Sequence, residues 1–336
     1  MRAMDRIDLG ATGRTTTRLG FGCSSLMGAM GRRESSAMLE AAFDAGIRHF
    51  DVAPMYGFGQ AEGCLGEFLG RHRGEVTVTT KYGIPPARSQ GWMGLARAAA
   101  RPVVRALPGL KRRMAQAAGS VVQPAGKASF TAAEARESLE RSLAELRTDH
   151  IDVWLLHEAT VDDLRDDGLL RLLQDAVASG KVGSFGVGSE RTRVETLLTA
   201  RPEYCATVQF EWSVMDPPVG PMKSFRMHHR TLTDNIRGLH ARLVQEKARC
   251  AEWSREVGAD LADRAALAAL AALMLKAALE ENPESVILFS SKRPAHILQN
   301  VEVAEDAALV APARRFYALV QREIVVRSQP REQVAR

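Results

Sequence analysis

From about residue 18 onward the chain alternates short β-branched or apolar runs with longer segments of helical period, a rhythm that repeated βα units produce and few other architectures tolerate. Eight strand-like runs stand out, near Leu19–Gly22, His49–Asp51, Val76–Lys81, Ile151–His157, Ser184–Val187, Thr207–Phe210, Ser224–Met227 and Val286–Phe289. Between them helical period covers Ser35–Ala45, Ala61–Gly70, Thr131–Leu146, Val161–Ser179, Arg193–Ala200 and a longer pair within 234–281. Thr131 followed by Glu134 reads as a capping box, and Leu139, Leu143 and Leu146 mark one face of the helix it opens. Eight such units close into a barrel whose active site lies at the strand C-termini. The expected fold is therefore α/β, a (β/α)8 TIM barrel made by residues 1–336 as one domain. Ile7–Leu9 and Thr15–Arg18, separated by Gly10 and Gly13, read as a hairpin ahead of the first barrel strand.

A composition of 46% hydrophobic and 25% charged residues lets a chain of this length bury a full core. The start, Met1-Arg2-Ala3-Met4-Asp5-Arg6, carries charge where a secretory leader needs an apolar stretch. The longest apolar run, Ala265–Leu275, stops at Lys276; it is about half of a membrane span and reads as a buried helix. Cys23, Cys64, Cys205 and Cys250 are scattered with no Cys-x-x-Cys pair, which fits a reducing compartment. A cytoplasmic protein without membrane association is expected.

The net charge of +5 is local: residues 84–128 hold eight Lys or Arg and no Asp or Glu, leaving the rest near −3. One basic segment is not the footprint of a nucleic-acid binder, and nucleic acid is not an expected partner. The same segment breaks the βα rhythm. Pro86, Pro102, Pro108 and Pro124 fall between the third strand and its helix, making a long basic insertion at about 85–128. Connections of that length are functional loops or poorly ordered; on the catalytic rim this one is expected to act as a lid or to attract anionic substrates.

Four polar groups fall at consecutive strand ends. The second strand runs into Asp51-Val52-Ala53-Pro54-Met55-Tyr56-Gly57, the third ends at Lys81, and the fourth ends in His157-Glu158. Strand C-termini of a barrel converge on one cavity. A tyrosine is a poor acid at neutral pH, and an adjacent ammonium lowers its pKa by favouring the phenolate; Lys81 is expected to do this for Tyr56. Lys81 in turn needs a counter-charge inside a barrel, which Asp51 can supply. His157 can hold a substrate oxygen and orient or relay the proton. Taken singly, each residue also fits a cap, a packed rim ring or a solvated lysine.

These pieces resemble the aldo-keto reductase family. The matching motifs are Asp51-x-Ala53-x-x-Tyr56-Gly57 followed by Glu62, Thr80-Lys81, Leu139-x-x-Ser142-Leu143 with Asp149-x-Ile151-Asp152, and the strand ending in His157, and they cover most of the chain outside Pro85–Lys127. The resemblance implies a catalytic tetrad of Asp51, Tyr56, Lys81 and His157, with Tyr56 donating a proton as hydride passes from a nicotinamide to an aldehyde or ketone, or the reverse. It also implies a cofactor site. Gly186-Val187-Gly188-Ser189 and Gln209-Phe210-Glu211-Trp212-Ser213 resemble the segments that face the nicotinamide. They assign Gly188, Ser189 and Gln209 to its carboxamide and Trp212 to stacking on its face. Gly188 departs from the family's serine.

After the eighth strand, Ser290-Ser291-Lys292-Arg293 runs into Pro294, hydroxyls and cations at a helix N-terminus that suit an anion. The stretch resembles the family's adenosine-phosphate loop, with Gln299 and Asn300 at the adenine and His296 where many members carry an arginine for the 2′-phosphate. Lys292 and Arg293 compensate, which favours NADPH/NADP+, with NADH as the alternative. No Gly-x-Gly-x-x-Gly follows a strand, so a Rossmann domain is not indicated. His228-His229 is the only histidine pair, and strand neighbours point to opposite faces, so no metal site is expected. The competing readings are a Schiff-base lyase or aldolase using Lys81 and a regulatory barrel that binds cofactor without turnover. The expected partner is a small carbonyl or alcohol.

Overall fold

Parallel strands need cover on both faces, and here most barrel-strand residues are buried, as in the wholly buried Ser285–Phe289. A computed structural model describes residues 4–86, 126–232, 235–263 and 266–328. An antiparallel hairpin, β1 (Arg6–Asp8) with β2 (Thr15–Thr17), precedes β3 (Leu19–Gly22), β4 (His49–Asp51), β5 (Thr77–Tyr82), β6 (Ile151–His157), β7 (Val182–Gly188), β8 (Thr207–Glu211), β9 (Phe225–His229) and β10 (Ser285–Phe289). The last eight close a parallel barrel in the order β10-β3-β4-β5-β6-β7-β8-β9. This is the expected (β/α)8 barrel, with strand ends shifted by one or two residues.

Leu9, Val153, Leu155, Met227, Val286 and Leu288 form a core cluster of their own. Leu9 brings the hairpin into that cluster, so the polypeptide itself stoppers one end of the barrel. A polar column runs beside it. Thr16 Oγ1 lies 2.6 Å from Thr77 Oγ1, and His49 bridges Thr77 Oγ1 (Nδ1, 3.0 Å) and Thr79 Oγ1 (Nε2, 3.2 Å).

Helices wrap the outside. Thr131 Oγ1 accepts from Glu134 N at 3.3 Å, while Glu134 reaches back to Ser129 N at 2.9 Å, one residue pair away from a strict capping box. The expected helix Val161–Ser179 is instead a 3₁₀ turn, Asp162–Leu164, and a helix Asp167–Ala178 opened by Asp166, which accepts from Gly168 N at 2.8 Å. The expected pair within 234–281 is three helices, Asn235–Gln245, Lys247–Val257 and Ala266–Glu281. Glu246 leaves helical geometry between the first two, and Gly258 ends the second in the left-handed region that glycine takes without strain. The apolar run continues past Lys276, whose buried ammonium donates to Ala304 O at 2.8 Å. The final helix, Val310–Ser328, packs against Ala266–Glu281. Among the described residues no helix is long and apolar enough to cross a membrane. Most of the insertion at 85–128, on which the expected lid or anion-attracting role falls, lies outside the described residues.

Candidate active site

β4 and β5 pair so that Asp51 and Thr79 stand side by side, which sets Lys81 one pleat above. Lys81 is 1% exposed, and its ammonium donates to Asp51 Oδ1 at 2.7 Å and to Val52 O at 3.0 Å. The second oxygen of Asp51 accepts from Gln209 Nε2 at 2.7 Å. Burial alone would depress the Lys81 pKa, but the Asp51 carboxylate, and after it Tyr56, outweigh burial and raise it. Lys81 is therefore a fixed cation at neutral pH.

Tyr56 stands over this pair, with Lys81 Nζ 5.2 Å from its ring centre. The chain leaves Tyr56 through two left-handed residues, Gly57 and Phe58. A Cβ at position 57 would come 2.5 Å from Leu26 O, so only glycine lets this loop close. The Tyr56 pKa is raised, not lowered as expected. Burial pushes it up more strongly than Lys81 pulls it down, and Asp51 adds to the rise. The phenol is thus protonated at neutral pH, and Lys81 acts by limiting the cost of the phenolate.

Asp51, Tyr56 and His157 line one cavity of about 610 Å³ at the C-terminal mouth of the barrel, within the size range of small-molecule sites. Burial first, then the Lys81 charge, lowers His157 to about 3. Its imidazole is neutral at physiological pH, and among the described residues its buried Nδ1 has no hydrogen-bond partner. Beneath the site, Thr80 Oγ1 donates to the buried Glu62 at 2.6 Å.

Gly188, Ser189, Gln209 and Ser290 also line the cavity. Gln209 has its amide nitrogen committed to Asp51, leaving the carbonyl oxygen as its acceptor. Ser189 Oγ donates to Glu158 at 2.8 Å. Ser290 Oγ donates to Gly22 O at 2.7 Å and lies 3.4 Å from Ser24 Oγ.

Trp212 is a correction. It is 2% exposed, does not border the cavity, and donates its indole N–H to Pro217 O at 3.0 Å. Alternation explains this: Gln209 and Glu211 face the cavity, so Phe210 and Trp212 point out toward the helices, where their rings meet His228. The ring that faces the cavity from the neighbouring strand is His229, which pairs in register with Glu211. Its pKa is lowered, chiefly by burial. In the sequence this histidine stands out only as half of the His228-His229 pair. Extending β9 by two residues from the inward Met227 would have found it.

The phosphate-loop residues lie elsewhere. Ser291 is buried, with its hydroxyl bonded to Arg293 O and N at 3.0 and 3.1 Å. Lys292, Arg293, His296 and Gln299 are exposed and Asn300 is half-buried around the first turns of the helix Pro294–Glu305. None of these six borders the cavity, but Ser290 joins them to it. Pro294 takes the first helical position as expected.

The Aldo/keto reductase family profile matches residues 18–229. Among curated proteins, the chain is 42% identical to the pyridoxal 4-dehydrogenase of Microbacterium luteolum over 86 residues, 25% of each chain. It is 33% identical to the D-threo-aldose 1-dehydrogenase of Pseudomonas sp over 188 residues, 53% of this chain and 52% of the relative. The chain thus spans between a quarter and about half of the length of these relatives. Among solved structures it resembles aldo-keto reductase AKR11C1 from Bacillus halodurans, with a TM-score of 0.68 and 18% identity over 94% of this chain and 96% of that one. It also resembles the Klebsiella pneumoniae aldo/keto reductase in complex with NADP and acetate, with a TM-score of 0.59 and 18% identity over 94% and 96%. At these identities the structures speak to the barrel alone, while the profile covers more than half of the chain: the protein belongs to the aldo/keto reductase family.

Proposed function

We propose that this chain is a nicotinamide-dependent oxidoreductase that interconverts a small aldehyde or ketone with its alcohol, with Tyr56 as the proton donor. The observation that carries the reading is the buried Lys81–Asp51 pair beneath a phenol that shares its cavity with a neutral imidazole. A carbonyl oxygen gaining charge needs a proton and a hydrogen-bond donor. Tyr56 supplies the first and His157 the second. Lys81, charged by virtue of Asp51, offsets the negative charge left on Tyr56. A bound reduced nicotinamide would supply hydride to the carbonyl carbon.

The residues present fit such a cofactor. His157, Gln209 and His229 all border one cavity, and the amide nitrogen of Gln209 is already committed to Asp51. Gln209 and Ser189 would meet the carboxamide, and His229 replaces Trp212 as the candidate ring wall. Lys292 and Arg293 make no ion pair among the described residues and favour NADPH over NADH; the NADP named in the Klebsiella structure agrees. The relatives named for pyridoxal and for an aldose support a small carbonyl or alcohol as substrate.

Schiff-base chemistry at Lys81 is disfavoured, because a buried ammonium held by a carboxylate has no free lone pair. NADPH oxidation across a panel of aldehydes and ketones, run beside Tyr56→Phe, tests the reading. Turnover that survives in Tyr56→Phe, or borohydride trapping of substrate on Lys81, would overturn it.

A further inference from the structure

The cavity wall beside His157 carries a charged side chain that proton and hydride transfer do not require. Glu158 lines the same cavity and holds a left-handed backbone, φ 60°, a conformation that a glutamate adopts only where its surroundings enforce it. Its amide donates to Gly188 O at 2.9 Å. Its Oε2 accepts from Ser189 Oγ at 2.8 Å and pairs with Arg193, whose guanidinium also donates to Ser189 Oγ at 3.1 Å. Both contacts fall on one oxygen, and 33% of the side chain remains exposed.

A carboxylate held this way is an acceptor with nothing to donate. Its bonds to hydroxyl groups are charge-assisted, and it gains nothing from an alkyl chain laid against it. Arg193 and Ser189 fix the carboxylate in advance, so a ligand need not order it.

We propose that Glu158 determines specificity by accepting hydrogen bonds from hydroxyl groups of a small, uncharged polyhydroxylated carbonyl compound whose carbonyl oxygen faces Tyr56 and His157. The inference rests on the carbonyl-reduction reading above and deepens it by naming the substrate class.

The test compares D-glyceraldehyde with propanal, equal in carbon number and differing in two hydroxyl groups, as substrates of the wild type, Glu158→Gln and Glu158→Ala. NADPH affinity is followed separately by quenching of tryptophan fluorescence. The wild type should favour D-glyceraldehyde in kcat/KM. Glu158→Gln keeps the size of the side chain and should lower that preference about tenfold, mainly through KM, as expected when a charged acceptor becomes a neutral one. Glu158→Ala should lower it further. A wild type that prefers propanal overturns the proposal without help from either variant. So does an unchanged preference in both variants, or a loss of NADPH affinity large enough to account for the change. If the wild type reduces neither aldehyde, the carbonyl-reduction reading falls and this inference with it; turnover of both with no role for Glu158 defeats the inference alone.

Discussion

Two buried carboxylates in this barrel meet cations in opposite ways. Asp152 accepts from Arg14 at 3.0 Å and Val78 N at 2.7 Å and pairs with Arg73 at 3.0 Å. Both arginines then run on to backbone carbonyls, Arg14 to Val76 O and Arg73 to Val76 O and His150 O. That network begins and ends in the fold. Asp51 is bound by Lys81 and Gln209, and beyond Lys81 stands a phenol on a cavity wall. A buried ion pair is weak evidence for net stability. The Asp152 pair gains its value by tying the strand and hairpin ends of the barrel together, the Asp51 pair by holding a charge where a reaction can use it.

The largest expected effect tests the open end. Tyr56→Phe should lower kcat by about 10²- to 10⁴-fold, with an unaltered melting temperature. Lys81→Met comes next: it strands Asp51 in the interior and should destabilise the fold by about 3–5 kcal/mol. Adding Asp51→Asn should restore most of that stability in denaturant titrations while leaving activity lost. At the closed end, Asp152→Asn should cost about 1.5–3 kcal/mol and spare kcat per folded molecule. A tenfold fall in kcat would erase the contrast drawn here.

Acid sharpens the comparison further. His49 is lowered to about 4, and His157 and His228 to about 3, burial being the largest cause in each. Their folded values lie below the unfolded one near 6.5, so the neutral form carries the stability. That contribution is complete above about pH 6.5 and is lost as the pH falls toward the folded values, at about 1.4 kcal/mol per pH unit for each histidine. Melting temperatures measured from pH 7.5 down to 4.5 should fall accordingly. A flat profile would mean that these rings find partners when charged. The smallest effect concerns His228, which is fully buried and among the described residues has neither nitrogen in a well-formed hydrogen bond. His228→Leu should raise stability by about 1 kcal/mol and make the acid profile shallower.

Much of this architecture is legible in the sequence. The strand rhythm locates all eight barrel strands because a strand announces itself through local composition. The four candidate catalytic residues are equally legible, because barrel topology sends every strand C-terminus to one rim whatever the details of packing. Errors arise where orientation or summed environment decides. The ring on the cavity wall depends on which face of β8 and β9 each residue occupies, so the motif points to Trp212 whereas His229 lines the cavity. A strict two-residue alternation from Gln209 would have turned Trp212 outward.

The order of residues along the chain by itself determined the barrel and which polar groups gather at its mouth, since both follow from spacing within single strands and turns. Tertiary structure alone decided that the Tyr56 pKa rises, that Gln209 serves Asp51, and that Glu158 is pinned by Ser189 and Arg193. These depend on how deeply water is excluded and on partners contributed by other strands, quantities that no local stretch of sequence contains.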